Sequence, residues 1–133
     1  MNNFIFADLI TRIRVGYKAH LLSIKVLKSK FIINFLILLY KIGLIRSFHI
    51  LNNERNILVY LKYKSNKPVI YSIDLISKPS RRIYWTLNLL SHNYSKYSFS
   101  TFYIISTSKG LITSNDALLQ KNISGEILCK IQI

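Results

Sequence analysis

Acidic residues are scarce in this chain. Five Asp and Glu face nineteen Lys and Arg in 133 residues, a formal net charge of +14. Most of the cations cannot be paired within the chain, so they repel one another or face an external polyanion. Nucleic acid or an anionic membrane surface is the expected partner class, and a small-molecule substrate is not. A single cysteine, Cys129, excludes an intrachain disulfide and a cysteine-built zinc site. It sits in a terminal apolar alternation and reads as a small core residue of a protein in a reducing compartment. The acids Asp8, Glu54, Asp74, Asp116 and Glu126 are scattered, and His20, His49 and His92 share no metal-ligand spacing. Acid–base catalysis needs such groups placed together. No enzyme, cofactor or metal site is expected.

Long hydrophobic runs are also missing. The longest, Phe31 to Ile45, has 15 residues and is interrupted by Asn34 and Lys41, short of the roughly 20 that a membrane span needs. It reads as a core helix buried on most sides. The N-terminal MNNFIFADLITRIR has neither a signal-type apolar region nor the acid-free character of a transit peptide. If the protein works in an organelle, it is expected to be made there. Ala, Gly, Pro and Arg together supply only 15 residues, whereas Phe, Tyr, Ile, Asn and Lys supply 62. The abundant group has AT-rich codons, which points to an AT-rich genome, most commonly organellar.

What is present suffices for a core: half the chain is apolar, with mean hydropathy +0.26. That fits one small domain or two halves sharing an interface. Asn2 or Asn3 can cap a helix running to about Val15, with Ile5, Leu9 and Ile13 in one stripe and Asp8 paired with Arg12. Leu21 to Leu27 reads as a strand with Leu22, Ile24 and Val26 on one face. Ser29 caps the long apolar helix and Gly43 closes it. Ile45 to Leu51 and Ile57 to Tyr63 form a hairpin, and Pro68 to Ser77 a third strand. Pro79 breaks the chain between two halves. Leu87 to Asn93 reads as a helical turn or short helix, Ser91 to Ser98 as a loop and Phe102 to Ile105 as a strand. Leu111 to Thr113 is a short return, and Ser114 caps a helix to about Lys121. Gly125 turns into a last strand alternating Ile127, Cys129, Ile131 and Ile133. The pattern is α+β: two small α/β halves, 1–66 and 67–133, with short mixed or antiparallel sheets.

Three stretches carry candidate chemistry. ISTSKGLIT (Ile105 to Thr113) places Ser106, Thr107 and Ser108 in a row before Lys109 and Gly110. It is a nucleophile site, a phosphate cradle, a polar surface fitted to nucleic acid, or a capped turn. No nearby base supports a nucleophile, and the Gly-Lys-Ser/Thr order of a phosphate loop is absent. SKPSRRIYW (Ser77 to Trp85) is either a solvated basic strand or a nucleic-acid edge. In the latter, Lys78, Arg81 and Arg82 neutralise phosphates and Tyr84 offers a stacking face. Basic and aromatic residues interleave again in YLKYKSNK, Tyr60 to Lys67.

Together these residues resemble the eighth protein of the small ribosomal subunit, the S-eight family. ADLITRIR (Ala7 to Arg14) is similar to its first helix. Ser29-Lys30, followed by an apolar helix ending at Gly43 and Ile45, is similar to its second. SKPSRRIY resembles its basic Pro-Gly-Arg-Arg segment. STSKGLIT through SGEILC, Ser106 to Cys129, resembles its C-terminal signature. The resemblance implies a binder of small-subunit ribosomal RNA, attached to a stem of the central domain, with the C-terminal half as main reader. It also implies neighbouring small-subunit ribosomal proteins as partners. RNA contacts would fall to Ser29, Lys30, Lys78, Arg81, Arg82, Tyr84, Ser106, Thr107, Ser108 and Lys109, with Gly110, Gly125 and Glu126 in support. Ser80 and Ser124 stand where the family has glycine, Leu27 where it has proline and Val15 where it has asparagine. These departures suggest less backbone freedom and a remodelled RNA or new neighbours. A mitochondrion is the favoured location, with a plastid or an AT-rich bacterium as alternatives. The competing class is a basic peripheral membrane protein, whose cations would sit on amphipathic helices.

Overall fold

The first helix, α1 (Asn3–Lys18), runs three residues beyond its expected end. Its buried stripe of Phe6, Leu9, Ile10 and Ile13 continues to Tyr17, whose hydroxyl donates to Leu44 O at 2.8 Å. The computed structural model describes residues 3–51, 54–86, 88, 89, 92, 100–119 and 125–133. The chain divides into two compact units, 1–71 and 72–133.

In the first unit α1 ends in a Schellman motif. Leu21 N–H donates to Gly16 O and His20 N–H to Tyr17 O, with His20 in the left-handed region (φ 55) where glycine is usual. Strand β1 (Ser23–Leu27) follows, then α2 (Lys30–Ile42), β2 (Ile45–Ile50) and β3 (Asn56–Leu61). The strands form an antiparallel sheet in the order β1-β3-β2. Ser29 caps α2 as its sequence implies, its Oγ accepting from Ile32 N–H, and Gly43 closes it. The helix is not buried on most sides. It buries one stripe, Ile32, Phe35, Leu36 and Leu39, while Ile37, Tyr40 and Ile42 face outward. Phe6 meets Phe31 and Phe35 edge-on at 5.3 and 5.0 Å, joining the two helices. Among the described residues, no helix is long and apolar enough to cross a membrane. In β1, Ile24 and Val26 are buried, but Leu22 lies before the strand and is 76% exposed.

The third strand expected over 68–77 is two pieces with different partners. Strand β5 (Lys67–Pro68) pairs with β4 (Tyr63–Lys64) in a tight hairpin that completes the first unit. Its turn residues Ser65 and Asn66 both have positive φ, as a type I′ turn requires. Strand β6 (Ser72–Leu75) instead pairs with the far C-terminal strand, Ser72 opposite Gln132.

The second unit holds β6, β7 (Tyr84–Trp85), β8 (Thr101–Thr107), β9 (Gly110–Thr113), the short helix α3 (Ser114–Leu119) and β10 (Gly125–Gln132). Pro79 therefore lies inside this unit. The sheet order is β6-β10-β8-β9, with β7 also on β10, and every described pairing in the protein is antiparallel. The fold is α+β. Tyr103, Ile105, Ile127 and α3 Ala117 form a buried cluster, flanked by Ile83, Trp85 and Ile112. A register shift between Ile127 and Cys129 breaks the expected alternation: Ile127, Leu128 and Cys129 are all buried, while Ile133 is 48% exposed. Burial pushes the Cys129 thiol up, so it stays protonated. Helix α3 is capped by Thr113, not Ser114. Thr113 Oγ1 accepts from Asp116 N–H, and the Ser114 hydroxyl accepts from Tyr103 N–H in the core. Residues 88, 89 and 92 are helical, but the rest of the expected helix over 87–93 and of the loop over 91–98 lies outside the described residues.

Candidate nucleic-acid interface

Register partners in an antiparallel sheet share a face. Leu111, Ser106, Glu126 and Tyr84 form one such row across β9, β8, β10 and β7. Their strand neighbours Ile112, Ile105, Ile127 and Trp85 point the other way, into the cluster beneath α3. The face opposite α3 thus carries a hydroxyl, a carboxylate and a tyrosine in line, and Tyr84 is 66% exposed.

The hydroxyl row ends in a turn. Thr107 and Gly110 are register partners, leaving Ser108 and Lys109 as a two-residue loop. Thr107 Oγ1 donates to Gly110 O at 2.8 Å and accepts from Lys109 N–H at 3.2 Å. Its only proton is spent closing the turn. Gly110 has φ 110, a conformation that side chains rarely adopt. The Ser106 and Ser108 hydroxyls have no intramolecular partner among the described residues. Ser108 and Lys109 are exposed and Ser106 is half-buried. Gly125 fixes how closely β10 approaches: a Cβ there would lie 2.2 Å from Ser106 O.

Glu126 anchors the basic segment. Its Oε1 accepts from Ser77 Oγ at 2.7 Å and from Arg82 Nη1 at 3.0 Å. Ser77 Oγ in turn accepts from Ile83 N–H at 3.1 Å. Arg82 is therefore a held cation. Lys78 and Arg81 exchange backbone hydrogen bonds of 2.8 and 3.0 Å around Pro79 and Ser80, and both side chains are exposed. Ser80 is not among the positive-φ residues, so this turn has no need of glycine there. Serine stands at position 80 without left-handed backbone strain; Ser124 lies outside the described residues.

The second unit thus brings together Lys78, Arg81, Arg82, Tyr84, Ser106 to Gly110, Gly125 and Glu126. Ser29 and Lys30 belong to the first unit, where the Ser29 hydroxyl is occupied in capping α2 and Lys30 is exposed. Sequence reasoning missed Ser77 as a site residue. Its signal was a lone hydroxyl closing an apolar strand, and its partner Glu126 lies 49 positions away. No group of three His, Cys, Asp or Glu able to hold a metal occurs among the described residues.

Residues 5–132 match the family model of ribosomal protein S8. The small ribosomal subunit protein uS8m of Acanthamoeba castellanii is 42% identical over 127 residues, covering 96% of this chain and 98% of that protein. The uS8 proteins of Buchnera aphidicola subsp. Baizongia pistaciae and Syntrophus aciditrophicus are 39% and 36% identical, each covering 94% of both chains. With the match running through both units, this chain belongs to the ribosomal protein S8 family, a structural, non-enzymatic family of the small ribosomal subunit.

Proposed function

We propose that the chain binds small-subunit ribosomal RNA, at a stem of the central domain, and so supports assembly of the subunit and translation. The observation that carries this is the face opposite α3 and the turn beside it: an exposed Tyr84, an Arg82 held by Glu126, Ser106 on β8 and Ser108 on the turn that Thr107 closes, neither serine hydroxyl having an intramolecular partner among the described residues. A-form RNA presents 2′-hydroxyls and base edges in a shallow minor groove. Short hydroxyls on a stiff hairpin donate and accept there at close range, and so test shape. Exposed Lys78, Arg81 and Lys109 meet phosphates, which position without reading sequence.

Charge divides differently from this reading surface. The first unit has twelve Lys and Arg against two acids, the second seven against three. The C-terminal unit is the reader, and the N-terminal unit supplies most of the long-range attraction. Neighbouring small-subunit proteins complete its surroundings. The AT-rich composition and the mitochondrial uS8m relative at 42% identity support a mitochondrial ribosome.

The test is a titration of the full chain against the central-domain stem, an unrelated duplex of equal length, and anionic vesicles. Tightest binding to the stem is expected. Equal binding to both RNAs would remove the shape-reading role, and preference for vesicles would replace RNA with a membrane surface.

A further inference from the structure

Three rings step outward from the core of the first unit. Tyr17, 4% exposed, meets Tyr63 edge-on at 5.5 Å, and Tyr63 stacks on His20 with centroids 5.7 Å apart and planes 24° apart. The Tyr63 hydroxyl donates to Leu21 O at 2.6 Å, which fixes the middle ring. His20, the outermost ring, is exposed, and its nitrogens have no intramolecular partner among the described residues. It stands at the left-handed position closing α1, where glycine would fit with less strain. An imidazole is held there at a steric cost.

Beside it lies an open hollow of about 480 Å³ lined by His20, Leu22, Tyr63 and Asn66. Leu22 is 76% exposed, although its carbonyl is tied to Leu61 N–H at 3.0 Å. Asn66 is presented by the β4–β5 turn, and its amide has no intramolecular partner among the described residues. Exposed Lys18, Lys64 and Lys67 each stand within two positions of a lining residue. The unit around them has twelve cations against two acids. An apolar peptide would gain nothing from those lysines. A nucleotide offers a flat ring for the imidazole and leucine, a polar edge for the amide, and phosphates for the cations.

We infer that this hollow takes one unpaired nucleobase of the RNA, stacked on the outer face of His20 against Leu22. Asn66 meets the base edge, and Lys18, Lys64 and Lys67 meet the flanking phosphates. The inference rests on the RNA-binding reading and adds a second, single-stranded contact to it, separate from the hydroxyl turn.

The test follows the ring signals of isotope-labelled histidines in the full chain at low salt. One probe is hexa-adenylate, and the other is an abasic ribose-phosphate hexamer of the same length. His20 is assigned from the His20→Asn spectrum, since asparagine tolerates the left-handed backbone. Hexa-adenylate should move the His20 signals upfield and the abasic hexamer should not. His20→Asn and Leu22→Ser should each weaken hexa-adenylate binding about five-fold or more. The Ser106→Ala/Ser108→Ala variant should keep the full His20 shift, which separates this site from the stem contact. An equal response to the abasic hexamer, hexa-adenylate binding that leaves His20 unmoved, or no binding would overturn the inference. So would protection of His20 by a neighbouring protein but not by adenine.

Discussion

Arg82 donates to Glu126 across 3.0 Å, joining a basic turn to the central strand of the second unit over 44 positions of sequence. The carboxylate is nearly buried while the guanidinium side chain is 36% exposed. Solvent screens the pair, so its coupling is modest, at most about 1 kcal/mol. Its larger effect is geometric, because Ser77 and Arg82 share Oε1 and leave the segment little freedom.

Replacing Glu126 with Gln should therefore change RNA recognition more than stability. Unfolding in urea should show a loss of about 1–2 kcal/mol, as a buried acceptor is weakened. Discrimination between the stem and an unrelated duplex should fall together with that of Arg82→Ala, the double variant adding little. Additive losses of discrimination would mean that the two residues act independently.

Gly125→Ala tests the close approach of β10 to β8. The new Cβ would meet a backbone oxygen, which cannot rotate away as a side chain does. A destabilisation of about 2–3 kcal/mol is expected in the second unit, as for overpacked sites, with weakened stem binding. Wild-type unfolding would show that the strands part there without consequence.

Leu39 is fully buried on α2. Leu39→Ala should cost about 2–5 kcal/mol, read by denaturant unfolding. A substitution at Leu38, half-buried on the helix flank, should cost less.

Burial pushes the Tyr17 hydroxyl up to about 12 from an ordinary 10.0. The unfolded chain thus loses this proton first. The contribution of neutral Tyr17 is fully present below pH 10 and is lost as pH rises through 12. Cys129, also pushed up by burial, acts in the same direction. Alkaline unfolding should be shallower in Tyr17→Phe, at the price of unpairing Leu44 O and Lys62 N–H. An unchanged alkaline limb would mean that Tyr17 does not titrate across this transition.

How legible each element was depended on where its partners lie. The Asp8–Arg12 pair at 2.8 Å, the Ser29 cap and the Gly43 stop were legible because their partners sit within four positions. The segment 68–77 was not. Its apolar spacing is continuous, but Pro68 pairs with Tyr63 whereas Ser72 pairs with Gln132. The Thr113 cap was misplaced by one residue because two adjacent hydroxyls each find a backbone N–H, one local and one on β8. The candidate site was legible only as residue types, through the hydroxyl row and the basic segment, whose side chains the second unit holds together. That Thr107 closes the turn, and that Arg82 is bound to Glu126, are properties of the packed sheet alone.

The most direct test of the central claim is the salt-dependent titration of Ser106→Ala/Ser108→Ala against the central-domain stem, beside Lys109→Ala. The serine change removes short-range hydrogen bonds but no charge. At about 1 kcal/mol per bond, a tenfold or larger weakening is expected, with the slope of log affinity against log salt unchanged. Lys109→Ala should weaken every RNA modestly and reduce the slope magnitude by just under about 1. Wild-type affinity of the serine variant for the stem would contradict the claim, leaving the hydroxyl row a capped turn.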